Sequence, residues 1–237
     1  MTTNTLFTSP LRCVINLGNA LLAKPTGESA SGVSVDISYE LANELGVACE
    51  LLVVNNAREA VVALESKQAD IGFLAIDPTR AEHLQFTSAY LEIDGCYLVK
   101  ENSHIQSIDN VDQEGHRVVV GLGSAYDLFL SREMKQASII KADSSKEVVN
   151  TFLKTQADVA AGVKEQLLAD MQTHKGLRML PGTFMRIQQA MVLHRDAGPQ
   201  AFQLVQDFAN NCLNNGFIAD SMKRHGITGA RLVNQSA

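Results

Sequence analysis

At 237 residues, with 46% hydrophobic and 19% charged side chains, the chain has the length and composition of one large or two small globular domains with a proper core. A net charge of -6, with 20 Lys and Arg scattered along the sequence, supplies no basic patch, which argues against nucleic acid or an anionic membrane surface as a partner. Aromatic residues make up 5% and Trp is missing, so a stacking site for sugars or bases is thinly supplied.

The N-terminal MTTNTLFTSPLRC carries neither a basic n-region nor an apolar h-region, and no apolar run approaches the length that spans a bilayer. Membrane insertion is not expected. Arg12–Leu17 reads as a first strand ending at Gly18, and the Gly, Lys, Pro and Ser-rich segment up to Gly32 reads as a loop. Asp36 then opens a helix in which Ile37, Leu41 and Leu45 share a face, and Gly46 stops it. Cys49–Val54 is a second strand and Ala57–Leu64 a second helix. Asp70–Leu74 is apolar enough for a buried parallel strand, and Asp77-Pro78 punctuates it, Pro78 suiting a first helical turn. Arg80 thus falls at the carboxyl end of a strand, the edge at which open α/β sheets bind ligands, and its planar cationic fork matches a carboxylate.

Tyr90–Val99 reads as a long strand, and the polar KENSHIQSIDNVDQEGH after it marks a domain crossing. A second βα cycle follows: strand Arg117–Val120, helix Ser124–Met134, strand Ser138–Ile140, a helix Lys146–Leu153 capped by Ser144-Ser145, strand Asp158–Ala161 and helix Glu165–Met171. Phe184–Leu193 is a second long strand and the turn at His194–Gly198 a second crossing. Phe202, Val205, Phe208 and Ala209 share a helical face, Asn214-Asn215-Gly216 ends that helix, Phe217–His225 forms a last short one, and the tail beyond Gly226 has little pattern. Strands alternating with helices in two cycles predict an α/β protein of two lobes, residues 1–98 with 196–237 forming the first and 99–195 the second.

Three segments carry a family resemblance. GVSVDISYELANELGV (Gly32–Val47), AVVALESKQADIGFLAIDPTRAEHLQFTSAY with its Arg80, Phe86 and Tyr90 spacing, and VVVGLGSAYDLFL resemble the type II periplasmic solute-binding proteins of polar amino acid ABC importers, family 3 of the extracellular solute-binding proteins. The resemblance covers nearly the whole chain and implies two Rossmann-like lobes joined by two hinge strands, closing on a ligand held between them. It also implies that Arg80 clamps the ligand's α-carboxylate, and that Gly123-Ser124-Ala125, opening a helix, adds backbone N–H groups and a hydroxyl to the same anion. Ala75 and Asp77 stand where the family carries small hydroxyl residues, Val163 where it carries a carboxylate for the ligand's ammonium, and the aromatic that follows strand one is replaced by Gly18-Asn19-Ala20-Leu21-Leu22.

The expected function is capture of a small carboxylate-bearing solute, an amino acid or related acid, by a monomer that delivers it to the membrane subunits of an ABC importer. The expected ligand-binding set is Arg80, Ser124, Ala125, Ala75, Asn19, Asp77, Gly123 and Arg186, the last on a hinge strand whose polar face alternatively meets solvent. Two alternatives share the fold: an enzyme resembling cyclohexadienyl dehydratase with Glu165 as cleft acid, and a cytoplasmic ligand-sensing domain. The resemblance points to the periplasm and the signal-less N-terminus to the cytoplasm. Cys13, Cys49, Cys96 and Cys212 stand singly in apolar runs, the six histidines have no ligand spacing, and GxSxG, HExxH and P-loop motifs are missing, so neither metal nor cofactor is expected.

Overall fold

The computed structural model describes residues 6–233. The chain forms two compact units, one running up to Glu92 and resuming at Gln188, the other spanning Ile93–Ile187. Both changeovers fall inside ten-residue strands.

In the first unit, β1 (Leu11–Asn16) is followed by the short strands β2 (Lys24–Thr26) and β3 (Ser29–Ser31), then α1 (Val33–Leu45), β4 (Cys49–Val54), α2 (Ala57–Glu65), β5 (Ile71–Ala75), a single turn Arg80–Glu82, β6 (Leu84–Phe86) and the start of β7 (Leu91–Lys100). The segment expected to be a plain loop therefore holds a hairpin. Its strands are three residues each and polar, Gly27 turns at φ 58°, and Thr26 and Ser31 join their hydroxyls at 2.9 Å. No apolar alternation announces it, because it buries only Ala30.

Helix α1 starts three residues before Asp36, at Val33, and its N-cap is Gly32, whose φ of 141° suits glycine alone. A Cβ on Gly32 would stand 2.3 Å from the Leu22 carbonyl oxygen, so the chain entering the hairpin and the helix start are pressed together. Ile37 and Leu41 are buried as the spacing predicts, while Asn56 caps α2 by accepting from the Glu59 N–H at 2.9 Å.

The strand order in this unit is β4-β1-β5-β12, with β12 (Met185–His194) antiparallel to β5 and β6 antiparallel to β12. β1 lies parallel to β4, Leu11 opposite Cys49, and parallel to β5, Cys13 opposite Ile71. Val14, Leu64, Leu74, Leu84 and Val192 fill the core against α2. The unit closes with α6 (Pro199–Asn214), α7 (Phe217–Arg224) and β13 (Ala230–Leu232). The tail is thus not without structure: β13 pairs with β7, and the Val233 N–H reaches the Tyr90 carbonyl at 3.2 Å. Three residues are too few to show a period, so backbone pairing decides this strand. Residues 1–5 and 234–237 lie outside the described residues.

The second unit contains β8 (Arg117–Gly121), α3 (Ala125–Glu133), β9 (Ser138–Ala142), α4 (Val148–Thr155), β10 (Val159–Val163), α5 (Lys164–Thr173) and β11 (Leu177–Met179). Its order is β7-β10-β8-β9, with β10 antiparallel to β7 and parallel to β8, and β11 antiparallel to β7. Leu98, Val119, Val149, Phe152, Ala160 and Leu167 make its core. The serine cap expected for the fourth helix is not formed. A single turn Ser145–Glu147 precedes α4, whose N-terminal residue Glu147 makes no side-chain cap.

Candidate functional site

In the first unit the parallel neighbours β1 and β5 end at one sheet edge, and the loops leaving them carry Asn19 and Ala75–Arg80. Asp77 organises the second loop. Its Oδ1 accepts from the N–H of Thr79 at 2.9 Å and of Arg80 at 3.4 Å, an Asx turn set up by the Asp-Pro pair the sequence displayed. The helical turn that Pro78 suits is a single one, Arg80–Glu82.

Arg80 is 5% exposed, and its Nη1 donates to the carbonyl of Ala75 at 3.0 Å. Burial lowers its pKa to about 10, while the charge of Asp77, itself buried, opposes the shift. The guanidinium therefore remains cationic at neutral pH. A buried, permanently charged fork is suited to a planar anion such as a carboxylate. Ala75 contributes through its backbone, since its side chain is buried and offers no polar atom. Asn19 shapes its loop: its Oδ1 accepts from the Leu21 N–H at 3.1 Å, and its carbonyl accepts from the N–H of Leu22 and Ala23.

In the second unit the parallel neighbours β8 and β10 likewise end at one edge, placing the Gly121–Ala125 turn beside the Val163–Glu165 junction. Ser124 is the N-cap of α3, and its Oγ accepts from the Asp127 N–H at 3.0 Å. The Asp127 carboxylate returns to accept from the N–H of Gly123, one residue before the N-cap, at 2.8 Å, a variant of the capping box. Asp127 is buried and also meets Lys141 Nζ at 3.1 Å and the Ser131 hydroxyl at 3.1 Å. Part of the donor capacity assigned to this turn is thus engaged by the chain's own carboxylate. Spacing S-x-x-D just before an apolar run is the signal that could have found it.

Beneath the turn, the buried Tyr126 hydroxyl lies among Gly121, Ser124 and Ser145. A Cβ on Gly121 would sit 2.8 Å from the Ser145 backbone and from that hydroxyl, so glycine is required by close approach. Tyr126 was not legible as a site residue, because a tyrosine in a first helical turn looks like any apolar position. Ser145 lies within the single turn before α4, two residues ahead of the Glu147 N-cap, and so is not placed to cap that helix.

At the β10–α5 junction Glu165 is partly buried, and its Oε2 is sealed from solvent with no hydrogen-bond partner among the described residues. Burial, and the negative charge of Asp94, raise its pKa. Arg186 is exposed at the start of β12 and is not part of the β8–β10 edge. Among the described residues no group of three His, Cys, Asp or Glu side chains is placed to hold a metal, and no helix is long and apolar enough to cross a membrane.

Residues 22–225 match the bacterial extracellular solute-binding proteins, family 3, and the chain belongs to that family. Solved structures share its fold, the type II periplasmic binding protein fold. One is the substrate-binding protein of an amino acid ABC transporter, 13% identical with a TM-score of 0.75, covering 90% of this chain and 97% of that one. An ancestral arginine-binding protein bound to arginine is 18% identical with a TM-score of 0.75, covering 90% and 96%. The ancestral amino acid-binding protein AncCDT-1, a precursor of cyclohexadienyl dehydratase, is 18% identical with a TM-score of 0.73, covering 90% and 93%. No curated protein matches the sequence. The chain is accordingly a solute-binding protein, and no catalytic role is assigned to its residues.

Proposed function

We propose that the chain captures an amino acid or a closely related small carboxylic acid and presents it to the membrane subunits of an ABC importer. The observation that carries this reading is the buried, cationic Arg80, set by the Asp77 turn at the carboxyl edge of the first sheet. A guanidinium held there gains strongly from a carboxylate and needs no chemistry of the ligand beyond the anion. Ser124 and Ala125 are the contributions we propose from the second unit: the Ser124 oxygen accepts from the Asp127 N–H, and its hydroxyl retains one proton to donate. Asn19, Asp77, Ala75 and Gly123 act through the backbone shapes they fix, and Arg186 is proposed as a contact to a second polar group of the ligand. Amino acids named with the structural relatives, arginine among them, support the choice of ligand class.

A thermal-shift screen tests the proposal. Amino acids, dicarboxylates, keto acids and ring-bearing acids are offered singly, since a ligand that binds only the folded state raises stability by about 2.7 kcal/mol at a hundred times its Kd. A saturable shift with a carboxylate, lost with the corresponding amide or ester, supports the reading. Shifts that ignore the carboxylate, or none from any acid, would overturn it.

A further inference from the structure

The corner between α6 and α7 carries the dipeptide Asn215-Gly216. Asn215 is the one asparagine in the sequence followed by glycine. It is exposed, and its side-chain oxygen accepts from the Phe217 N–H at 2.9 Å, holding the first donor of α7. Gly216 follows at φ 87°, a left-handed conformation that a glycine adopts without cost.

We infer that Asn215 is a spontaneous deamidation site whose rate is gated by opening of the α6–α7 corner. In the reaction the main-chain nitrogen of Gly216 attacks Cγ of Asn215, closing a five-membered succinimide. The nitrogen gives up its proton and the side-chain amine leaves as ammonia. Water then opens the ring at either carbonyl, giving Asp or its β-linked isomer. Glycine on the far side leaves the attacking nitrogen unshielded by any side chain.

The folded corner restrains this step. Asn215 keeps near-helical angles, φ -82° and ψ -2°, with its N–H bonded to the Asn211 carbonyl at 2.9 Å. At that ψ the Gly216 nitrogen is rotated away from the side of Cα that bears Cβ, and the carboxamide is held towards Phe217 instead. Local opening must therefore come before attack.

The two products differ in consequence. An ordinary aspartate keeps the acceptor for Phe217 and adds a negative charge at the N-terminus of α7, where the helix dipole favours it. The β-linked isomer adds a methylene to the main chain at the corner. It therefore strains the seat of α7, whose Ser221 and Arg224 both donate to Asp36, at 2.6 and 2.7 Å.

The test is incubation of the full chain at mildly alkaline pH, native and in denaturant, followed by peptide mapping and enzymatic detection of β-linked aspartate. Conversion is expected first at Asn215, more than about tenfold slower in the native protein than in the denatured chain, and absent in Asn215→Gln. Asn215→Asp should melt at or above the parent temperature. Equal native and denatured rates would overturn the gating, and earlier conversion at any other asparagine would overturn the site.

Discussion

Replacing Arg80 with methionine separates its cost to folding from its value to binding. Burial lowers the guanidinium well below its ordinary value, to about 10, which corresponds to about 3 kcal/mol disfavouring the folded, charged state at neutral pH. Because the folded value lies below the unfolded one, this penalty is present at neutral pH and is relieved as pH rises through about 10 towards the ordinary guanidinium value. Methionine removes the penalty but also the donor to the Ala75 carbonyl, a charge-assisted bond of about 1.5 to 3 kcal/mol. These effects oppose each other, and the buried Asp77 also loses the positive charge of Arg80, so Arg80→Met should destabilise the ligand-free protein by about 0.5 to 3 kcal/mol. Ligand affinity should fall by about 2 to 5 kcal/mol, or roughly 30-fold to several thousandfold in Kd. Denaturant unfolding reads the first quantity and calorimetric titration with the acid found by thermal shift reads the second. Undiminished affinity in Arg80→Met would refute the clamp, and loss of folding would refute the energetic balance.

Asp36 receives Ser221, Arg224 and His225 on one oxygen; burial raises its pKa, but these donors outweigh it and the net shift is downward. Its contribution is therefore present above the ordinary carboxylate value near 4 and lost as pH falls through the folded value; Asp36→Asn should cost about 1 to 3 kcal/mol at neutral pH and flatten the acid limb of a stability profile. Asp127→Ala leaves the Gly123 N–H and Lys141 without this acceptor and should cost about 2 to 3 kcal/mol by urea unfolding, whereas a change under half of that would remove the capping box from the account. Gly32→Ala drives a Cβ against the Leu22 carbonyl at φ 141° and should lower stability by at least about 2 kcal/mol, measured as a drop in Tm.

Local chemistry wrote much of this protein directly into its sequence. The spacing of Ile37 and Leu41, the apolar run at β5, the Asp-Pro break before Arg80 and the Ser124 cap each depend on neighbours a few residues apart, so periodicity and turn residues reveal them. The family signature around Arg80 could be read for the same reason. Tertiary structure decided the features whose partners lie far along the chain. The polar β2–β3 hairpin, the β13 strand fixed to Tyr90, and the close approach of Gly32 to Leu22 carry no period of their own. How deeply Arg80 is buried, and how closely Gly121 approaches the Ser145 backbone and the Tyr126 hydroxyl, follow from packing. Burial and long-range hydrogen bonding are properties of assembled neighbours, which spacing along one chain does not encode.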